Sequence, residues 1–528
     1  MKKRLLIIPT IVLSLAWLSA CKEEPISNTD IIQAVDSLEL KLTWLNYRIN
    51  LEEWQKYTTG SSDSLAFFEN LYNYVVSDPT TLNRLDNGRQ SHFDEINQRR
   101  YDLIYGDMMV GRVESTPSIS RLRDSLSNID IQFRATFDGE RRPAGYLYHL
   151  YRSDANRNRR ESAYRAYNEI GDSLADGLQR LIRLRNQTAS RLGYTNFFTL
   201  SFHSQGLDPQ EHLTLLRKLD SLSAEPYRKL LDERRKSLNV SQLEIWDLAF
   251  ADAALMRQVD AHFPVDSQME YIDRSLFAIG FNLDSLPIYF DLESREGKSQ
   301  FAYEFGIRPP YDQRVLANLT EGIYSTEVLL HEIGHALEDA AFAQDRQLFA
   351  WSQAGAWTEG MAQTVASLVR DSVWLVDYAH LDPVLASRYL DRRREQEIIN
   401  LRAELVRLQF EFEAYNNPNR DLNQLYWDLV DRYMYLPRHE DIKPWATIIH
   451  YTTHPVYLQN YLLADMIAAQ TLAYVRAQYG DPVDNTAFHS FLNQNYFRFG
   501  SRYQWKELLE RGTGTSLSPD AYEHQLGF

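Results

Sequence analysis

The feature that most limits the fold is the helical spacing of apolar residues, which begins near Ile31 and continues over most of the chain. One apolar stripe recurs at steps of four, four, three and three: Ile170, Leu174, Leu178, Leu181 and Leu184. This spacing keeps the stripe on one face of a long helix, and Gly193 is typical of the residue beyond a helix end. A second long helix is predicted from Asp382-Pro383, a cap and a first-turn proline, to Asn416-Asn417-Pro418.

Strand patterns are scarce by comparison. The two clearest are residues 299–305 and 314–319, which are separated by a turn at Pro309 and Pro310. The sequence contains no internal repeat and no linker long enough to separate independent domains. We therefore predict a mainly α fold in which residues 31–528 form a single domain, with a small β-hairpin or sheet just ahead of the motif described below.

The single cysteine of the chain follows a segment with the pattern of a secretion signal. Residues 1–4 carry three positive charges, residues 5–19 are apolar but too few for a comfortable membrane span, and Leu18-Ser19-Ala20 precede Cys21. The pattern resembles a bacterial lipoprotein signal, which implies cleavage before Cys21, acylation of its thiol and attachment to a lipid bilayer. An ordinary signal peptide or an uncleaved anchor with an incidental cysteine is the alternative interpretation.

On the lipoprotein interpretation, residues 1–20 are the signal peptide and residues 21–30 are a lipid-anchored tether. Lys22-Glu23-Glu24 lacks the aspartate that would retain a lipoprotein in the inner membrane of a typical enterobacterium. We therefore predict a bacterial cell-envelope protein held at the outer membrane, on either its periplasmic or its surface face. No later segment reaches about 18 uninterrupted apolar residues, the length needed to span a bilayer.

Charge and cysteine content exclude several functional classes. Asp and Glu number 72 and Lys and Arg 56, which gives a formal net charge of −16. A chain of this charge would be repelled by a polyanion, so we predict no nucleic-acid partner. With one Cys in the chain, intrachain disulfides and Cys-ligated clusters are excluded, and any metal site must use His and carboxylates. The expected oligomeric state is a monomer.

The sequence HEIGH has the spacing of a metal site. His331 and His335 are four residues apart on a predicted helix, so both imidazoles project from one face and can hold one ion. Glu332 is rotated by about 100° from His331, which favours a base acting on a nearby water over a third ligand. Neutral imidazoles and the absence of a usable thiolate favour Zn²⁺. Two surface histidines beside a glutamate would be the alternative, so a further ligand is needed.

A downstream carboxylate supplies that further ligand. Glu359 follows His335 by 24 residues, which leaves room for the first helix to end and for a second helix to return. On its own, Glu359 would be an acid placed near a helix N-terminus. With the histidine pair at this distance, we predict that His331, His335 and Glu359 hold one Zn²⁺ per chain. The first helix is predicted to begin at Ser325 or Thr326, both of which are good capping residues.

Together these segments resemble a known family. HEIGH, with a glutamate 24 residues later in AWTEGMAQTVASL, is similar to the angiotensin-converting-enzyme family of zinc peptidases, and HEIGHALE also resembles the related thimet-oligopeptidase family. HYTTHPVYLQNYLLADMIAAQ and SRYQWKELLERGTG extend the similarity over about residues 295–528. The resemblance implies a large helical ellipsoid, two subdomains flanking a deep substrate channel, zinc at the channel floor and short peptides as substrates.

The resemblance also implies roles for a histidine and two tyrosines. In the family a histidine precedes two tyrosines, and here His450 precedes Tyr457 by the expected seven residues, while Tyr461 comes one residue late. We predict Tyr461 as the oxyanion donor with His450 as its neighbour, and Tyr457 as a substrate contact. His454 is the alternative to His450, because Pro455 can begin the helix that carries the tyrosines. Core packing of both tyrosines is the other interpretation.

Two further assignments follow from the same resemblance. Glu332 would be the general base, which takes a proton from water and passes it to the departing amine. The strand 301–305 would offer its free edge to an extended peptide, and Ala302 occupies the position of the family's carbonyl-binding residue; an ordinary buried hairpin is the alternative. Ile448 replaces the lysine that binds a terminal carboxylate in the converting enzyme, which puts release of C-terminal dipeptides in doubt.

The function predicted is therefore a zinc metallopeptidase acting on short peptides, of the peptidyl-dipeptidase type. The alternatives are an oligopeptidase with internal cleavage, and a catalytically silent lipoprotein that captures peptides in the same cleft. The intact base and the complete ligand set argue against the silent protein. A related aminopeptidase would carry a GxMEN-like segment before the histidines, which TEGIYSTEVLL does not contain.

Overall fold

The computed structural model describes residues 27–528. The predicted signal peptide, Cys21 and most of the tether lie outside the described residues. The helices, in chain order, are α1 (Asn28–Thr59), α2 (Leu65–Val76), α3 (Pro79–Gly88), α4 (Glu95–Glu114), α5 (Pro117–Gln132), α6 (Ala144–Ser153), α7 (Arg157–Asn168), α8 (Gly171–Arg191), α9 (Phe197–Ser204), α10 (Pro209–Ser237), α11 (Ile245–Leu248), α12 (Ala253–Asp260), α13 (Val265–Ile279), α14 (Ile323–Ala340), α15 (Leu348–Trp351), α16 (Gly355–Ala366), α17 (Ser372–Asp377), α18 (Pro383–Asn416), α19 (Leu422–Met434), α20 (Ile449–Thr453), α21 (Gln459–Tyr479), α22 (Thr486–Asn495), α23 (Trp505–Thr513) and α24 (Asp520–Leu526).

The prediction of a mainly α-helical protein with a small sheet is confirmed. Helix α18 begins and ends where its caps predict, because the Asp382 carboxylate accepts hydrogen bonds from the N–H groups of Val384 and Leu385. Helix α8 carries the predicted apolar stripe and is followed by Gly193 at φ 87°. Among the residues that the structure describes, no helix is both long and apolar enough to cross a membrane.

Two small sheets accompany the helices. Strands β1 (Ala135–Phe137) and β2 (Glu140–Arg142) form a hairpin that was not predicted. The second sheet has the order β3–β5–β4, with β3 (Ile288–Asp291) parallel and β4 (Tyr303–Arg308) antiparallel to the central β5 (Asp312–Leu316). Strand β4 is therefore an edge strand.

The predicted hairpin exists, but its bounds were wrong by several residues at each strand. Pairing continues to Arg308 and Asp312, directly beside the two prolines of the turn, so both strands lie closer to the turn than predicted. Residues 299–302 precede the strand because Ser299 is tied to another element, its N–H donating to the Tyr57 carbonyl at 2.8 Å. Ala302 consequently lies just before β4 and not within it.

One large apolar core extends from Ile31 in α1 to Leu526 in α24. Helix α16 lies within this core between α14 and α21. A Cβ atom on Gly334 of α14 would lie 2.8 Å from the Cα of Ala362 in α16, and one on Gly360 would lie 2.9 Å from Ile467 in α21. Glycine at these two positions lets three helices approach closely, which fixes the spacing of the side chains they carry.

Candidate metal centre

Helix α14 carries the histidine pair and starts earlier than predicted. It begins at Ile323, after Gly322, and not at Ser325 or Thr326. Gly322 has φ 117°, a conformation that side chains other than glycine rarely adopt. The first helical N–H, that of Ile323, donates to the Asp260 carboxylate at 3.1 Å. A side chain from another helix thus supplies the cap, which no local pattern could reveal.

The structure brings the three predicted ligands together. His331 and His335 lie on α14 and Glu359 lies on the second turn of α16, and one donor atom from each falls within 4.8 Å of the other two. The His331 Nε2 and Glu359 Oε2 atoms are 3.3 Å apart. Because Gly334 brings the two helices into contact between the histidines, the donor atoms converge without any distortion of either helix.

This donor set fits zinc. Two imidazole nitrogens and one carboxylate oxygen, with no thiolate, are a ligand set that catalytic zinc uses, and it leaves a coordination position open. The two carboxylate oxygens of Glu359 have different partners. Oε2 faces His331, while Oε1 accepts a hydrogen bond from the Tyr457 hydroxyl at 2.7 Å. A partner that orients a ligand in this way is usual around bound zinc.

The protonation of the three groups reflects their mutual contacts. Burial works against charge on His331, but its hydrogen bond to Glu359 and the nearby Glu332 outweigh burial and raise its pKa. Burial lowers the pKa of His335 to about 4. Burial opposes ionisation of Glu359 as well, yet its hydrogen bond to His331 and the proximity of His335 lower its pKa to about 2. Glu359 is thus a carboxylate and His335 a neutral imidazole at neutral pH, which are the states that bind metal.

Glu332 lies beside these ligands without being one of them. Burial raises its pKa to about 7, and the negative charge of Glu359 acts in the same direction. His331 and a hydrogen bond from the Glu304 backbone N–H in β4 act in the opposite direction. A carboxylate with a pKa near neutrality can both accept and return a proton. Its contact with β4 places it between the histidines and the edge strand.

The predicted histidines and tyrosines gather on one side of this group. The ring centroids of His450 and Tyr461 are 5.9 Å apart, those of His450 and Tyr457 are 6.4 Å apart, and those of His454 and Tyr457 are 6.3 Å apart. Burial lowers the pKa of His450 to about 4, so its ring is neutral at physiological pH. Tyr461 is 37% exposed, which makes it the tyrosine that is open to an incoming molecule.

The tyrosines do not share one helix, contrary to the suggestion that Pro455 begins it. Helix α21 begins at Gln459, so Tyr457 lies in the connection before the helix. The break occurs at Val456, whose φ of 58° is unusual for a β-branched residue. This turn is held by the Glu411 carboxylate, which accepts from the Val456 N–H at 2.7 Å. The turn directs Tyr457 to Glu359, and only the tertiary structure reveals that role.

The free edge of β4 is only partly open. Since Glu304 directs its N–H toward Glu332, alternation along the strand places Gly306 on the same edge. The Gly306 carbonyl accepts from Asn50 Nδ2 at 3.0 Å and from the indole N–H of Trp351 at 2.8 Å. Ala302, two residues before Glu304, lies at the other end of this edge. The Glu304 N–H is engaged by Glu332 and the Gly306 carbonyl is occupied, so the backbone groups near Ala302 and the Glu304 carbonyl are the ones left for a peptide.

Comparison with known proteins gives a family match over part of the chain. Residues 150–286 match the model of peptidase family M3, a stretch that ends before the histidine motif. No match among the curated proteins was found. The match is to family M3 and not to a converting-enzyme family, so the resemblance to the converting enzyme is not confirmed.

The fold is shared with solved peptidase structures over nearly the whole chain. PZ peptidase A has a TM-score of 0.69 at 15% identity, with 94% of this chain and 95% of that chain covered. A protein of Bacillus anthracis str. Ames assigned as an oligoendopeptidase F has a TM-score of 0.64 at 16% identity, covering 90% and 87%. Trypanosoma cruzi metallocarboxypeptidase 1 has a TM-score of 0.62 at 15% identity, covering 94% and 99%. The family match and the shared fold support a metallopeptidase related to family M3.

Proposed function

We propose that this chain is a zinc-dependent oligopeptidase that hydrolyses short peptides, with His331, His335 and Glu359 as the zinc ligands. The observation that carries the proposal is the convergence of these three donors beside Glu332, a half-buried carboxyl whose pKa is raised by burial more than His331 lowers it. Zinc, when bound, supplies Lewis acidity that polarises a carbonyl and makes water a better nucleophile at neutral pH.

The side chains around the zinc ligands divide the remaining work. Glu332 takes the proton of the attacking water and delivers it to the departing amine. Tyr461, open to the site and next to the neutral imidazole of His450, donates a hydrogen bond to the developing oxyanion. Tyr457 holds Glu359 in its ligating orientation through the 2.7 Å hydrogen bond. Backbone groups near Ala302 align the peptide along β4.

Internal cleavage of short peptides is favoured over release of C-terminal dipeptides. Ile448, which replaces the lysine of the converting enzyme, offers no charge to a terminal carboxylate. The solved structures that share the fold include one described as an oligoendopeptidase and one described as a carboxypeptidase, so the fold alone is compatible with both. A protein that only binds peptides would not require a general base such as Glu332 beside three metal donors.

The proposal places the enzyme in the bacterial cell envelope as a lipid-anchored monomer. Cys21 would carry the lipid, and the residues between it and Asn28 would connect it to the first helix. Peptides reaching the envelope would then be its substrates. Metabolic labelling with a radioactive fatty acid, compared between the full-length protein and Cys21→Ala, tests the anchor independently of the activity.

The central experiment is mass spectrometry of a defined peptide library incubated with the protein, with and without a chelator. We expect cleavage that stops with chelator, and the fragment masses distinguish internal cuts from dipeptide release. Glu359→Ala should lose stoichiometric zinc together with activity, while Glu321→Ala, an exposed glutamate ahead of α14, should keep both. Zinc retention by Glu359→Ala, or cleavage that is insensitive to chelator, would refute the assignment.

Substrate length supplies a second arm of the same experiment. If zinc lies at the floor of a channel, a folded domain must partly unfold to reach it, which costs several kcal/mol. Hydrolysis should therefore fall with peptide length, and a folded globular protein should stay intact. Efficient cleavage of that protein at internal sites would contradict the channel.

A further inference from the structure

A cavity of about 430 Å³ lies directly beside the proposed zinc site. Tyr457 belongs to both places, because its ring lines the cavity and its hydroxyl donates to Glu359. Trp351 likewise lines the cavity while its indole N–H donates to the Gly306 carbonyl of β4. The cavity is thus adjacent to Gly306, the residue of β4 at which the open edge of the strand ends. Its volume is within the range of small-molecule binding sites.

The walls of the cavity are rich in aromatic rings. The aromatic side chains that line it are Tyr105, Tyr194, Trp351, Tyr457 and Trp505. Such rings present negative faces that attract an ammonium or a guanidinium group. Aromatic walls around a cavity of this size are therefore one half of a site for an organic cation.

The other half is an uncompensated set of acceptors. Asp107 lines the cavity with a solvent-exposed side chain, and within residues 27–528 its carboxylate forms no ion pair or hydrogen bond, while the surrounding protein raises its pKa to about 6. The side-chain oxygens of Gln353 and Asn460, which also line the cavity, have no hydrogen-bond partner in this part of the chain. Asn460 is only 2% exposed. Buried acceptors without donors are costly.

The basic residues of the cavity already have partners. The Arg99 Nε–H donates to the Ser501 carbonyl at 2.7 Å; burial lowers the pKa of this guanidinium, and the nearby carboxylates of Asp102 and Glu507 act in the opposite direction. Lys506 Nζ donates to Glu211 at 2.9 Å. Neither cation offsets Asp107, so the cavity presents acceptors and aromatic faces that a donor-rich cation would complement.

We propose that this cavity binds an ammonium or guanidinium group, and that a basic residue near the end of a bound peptide supplies it. The second part rests on the proposed peptidase function. A peptide held along β4 that extends past Gly306 meets Trp351 and then the cavity, because the Gly306 carbonyl is occupied and stops further strand pairing. Asp107 would neutralise the basic group while Gln353 and Asn460 accept its remaining N–H groups.

Calorimetry on the zinc-loaded protein tests the cation site without using activity. The probes are n-butylguanidinium and its uncharged isostere n-butylurea. We expect the guanidinium to bind and the urea to bind at least about tenfold more weakly, since a hydrogen bond to a charged group contributes about 1.5–3 kcal/mol. Asp107→Asn should weaken guanidinium binding by about the same factor, whereas Asp176→Asn, an exposed aspartate on α8, should not change it.

A second cavity variant shows whether a loss of binding in Asp107→Asn is due to misfolding. Gln353→Leu keeps the charge and removes one acceptor, so it should weaken guanidinium binding by a smaller factor while the thermal midpoint stays near that of the wild type. Equal binding of both probes, no binding of either, or unchanged binding in both cavity variants would overturn the cation site.

Peptide pairs then identify the source of the cation. Two peptides that differ only in a terminal lysine or norleucine are compared by kcat/KM. We expect a preference for lysine in the wild type that Asp107→Asn abolishes. Guanidinium binding without any lysine preference would overturn the substrate role and assign the site to a free amine. A wild type that cleaves no peptide would refute the proposed function, and calorimetry would still decide the cation site.

Discussion

Two glutamates of helix α14, Glu327 and Glu332, have opposite surroundings. Glu327, near its N-terminus, is 7% exposed and accepts from Arg370 Nε at 2.9 Å and from Arg393 at 2.7 Å. Burial opposes its ionisation, but these two arginines lower its pKa. Glu332, five residues later, is half-buried, forms no ion pair with an arginine among residues 27–528, and has a pKa that burial raises to about 7.

The difference shows how one helix can carry both a carboxylate that stabilises the fold and a carboxylate that can transfer a proton. Glu327 is ionised at neutral pH and ties α14 to Arg370 and to α18 through Arg393. Glu332 keeps a pKa close to neutrality because burial outweighs the opposing effects of His331 and the Glu304 N–H. Between these two residues, the arginine partners distinguish the carboxylate that holds the fold from the one that can move a proton.

Removing the acid–base group of Glu332 should have the largest effect. Glu332→Gln keeps the shape and the metal ligands but cannot accept a proton, so peptide hydrolysis should fall by about a thousandfold or more. Zinc content, measured by atomic absorption, should stay near one per chain. Substantial residual turnover would assign the base to another residue and remove the contrast with Glu327.

The corresponding change at Glu327 should affect stability instead. Glu327→Gln leaves Arg370 and Arg393 with Glu397 as their ion-pair partner among residues 27–528, and breaking a buried ion pair costs about 3 kcal/mol or more. Urea unfolding should show this loss, and Glu321→Gln, on the exposed segment before α14, should not. A Glu327→Gln protein with wild-type stability would mean that the arginines do not hold the helix.

His212 extends the comparison to a buried histidine whose pKa is shifted by burial alone. Burial lowers its pKa from 6.5 to about 4. The unfolded chain then takes up the proton more readily, so stability is complete above pH 6.5 and falls by about 3 kcal/mol as the pH drops to 4. His212→Leu should lose less stability than the wild type over this interval in urea titrations. Two outcomes would contradict this origin. One is a loss of stability in His212→Leu as large as in the wild type, and the other is an equally reduced loss in the exposed-site control His92→Leu.

The smallest effect is expected at the hydroxyl of Tyr461. Tyr461→Phe removes one oxyanion donor and should lower kcat by about tenfold to a hundredfold, with a smaller change in KM. Tyr457→Phe is the matched variant, because it removes the hydrogen bond to Glu359 and should weaken zinc affinity as well. Equal effects of both variants on zinc affinity would show that Tyr461 also acts through the metal ligands.

Local patterns were sufficient where the determinant is local. The cap at Asp382 fixed the start of α18, and the spacing of His331 and His335 placed both rings on one face of α14. Glu359 could be found because its distance in sequence matched a return helix. Each of these inferences depends on residues within a few turns of one another or on one known spacing.

Features built from distant segments could not be predicted in this way. Strand β3 pairs in parallel with β5 across more than twenty residues, and its four residues contain no distinctive alternation. The contact of Tyr457 with Glu359 depends on the turn at Val456, which Glu411 holds from another helix. Asp107 acquires its surroundings from several helices at once, so its sequence neighbours give no indication of its environment.

The occupied carbonyl of Gly306 has a consequence for the protein among other copies of itself. An exposed edge strand is a template on which another chain can add a strand, and long open edges lead to aggregation. By covering Gly306, Asn50 and Trp351 shorten the open edge of β4 to the stretch near Ala302 and the Glu304 carbonyl. The protein can thus offer backbone groups to a short peptide and still resist pairing with a neighbouring molecule, even when many copies are crowded together.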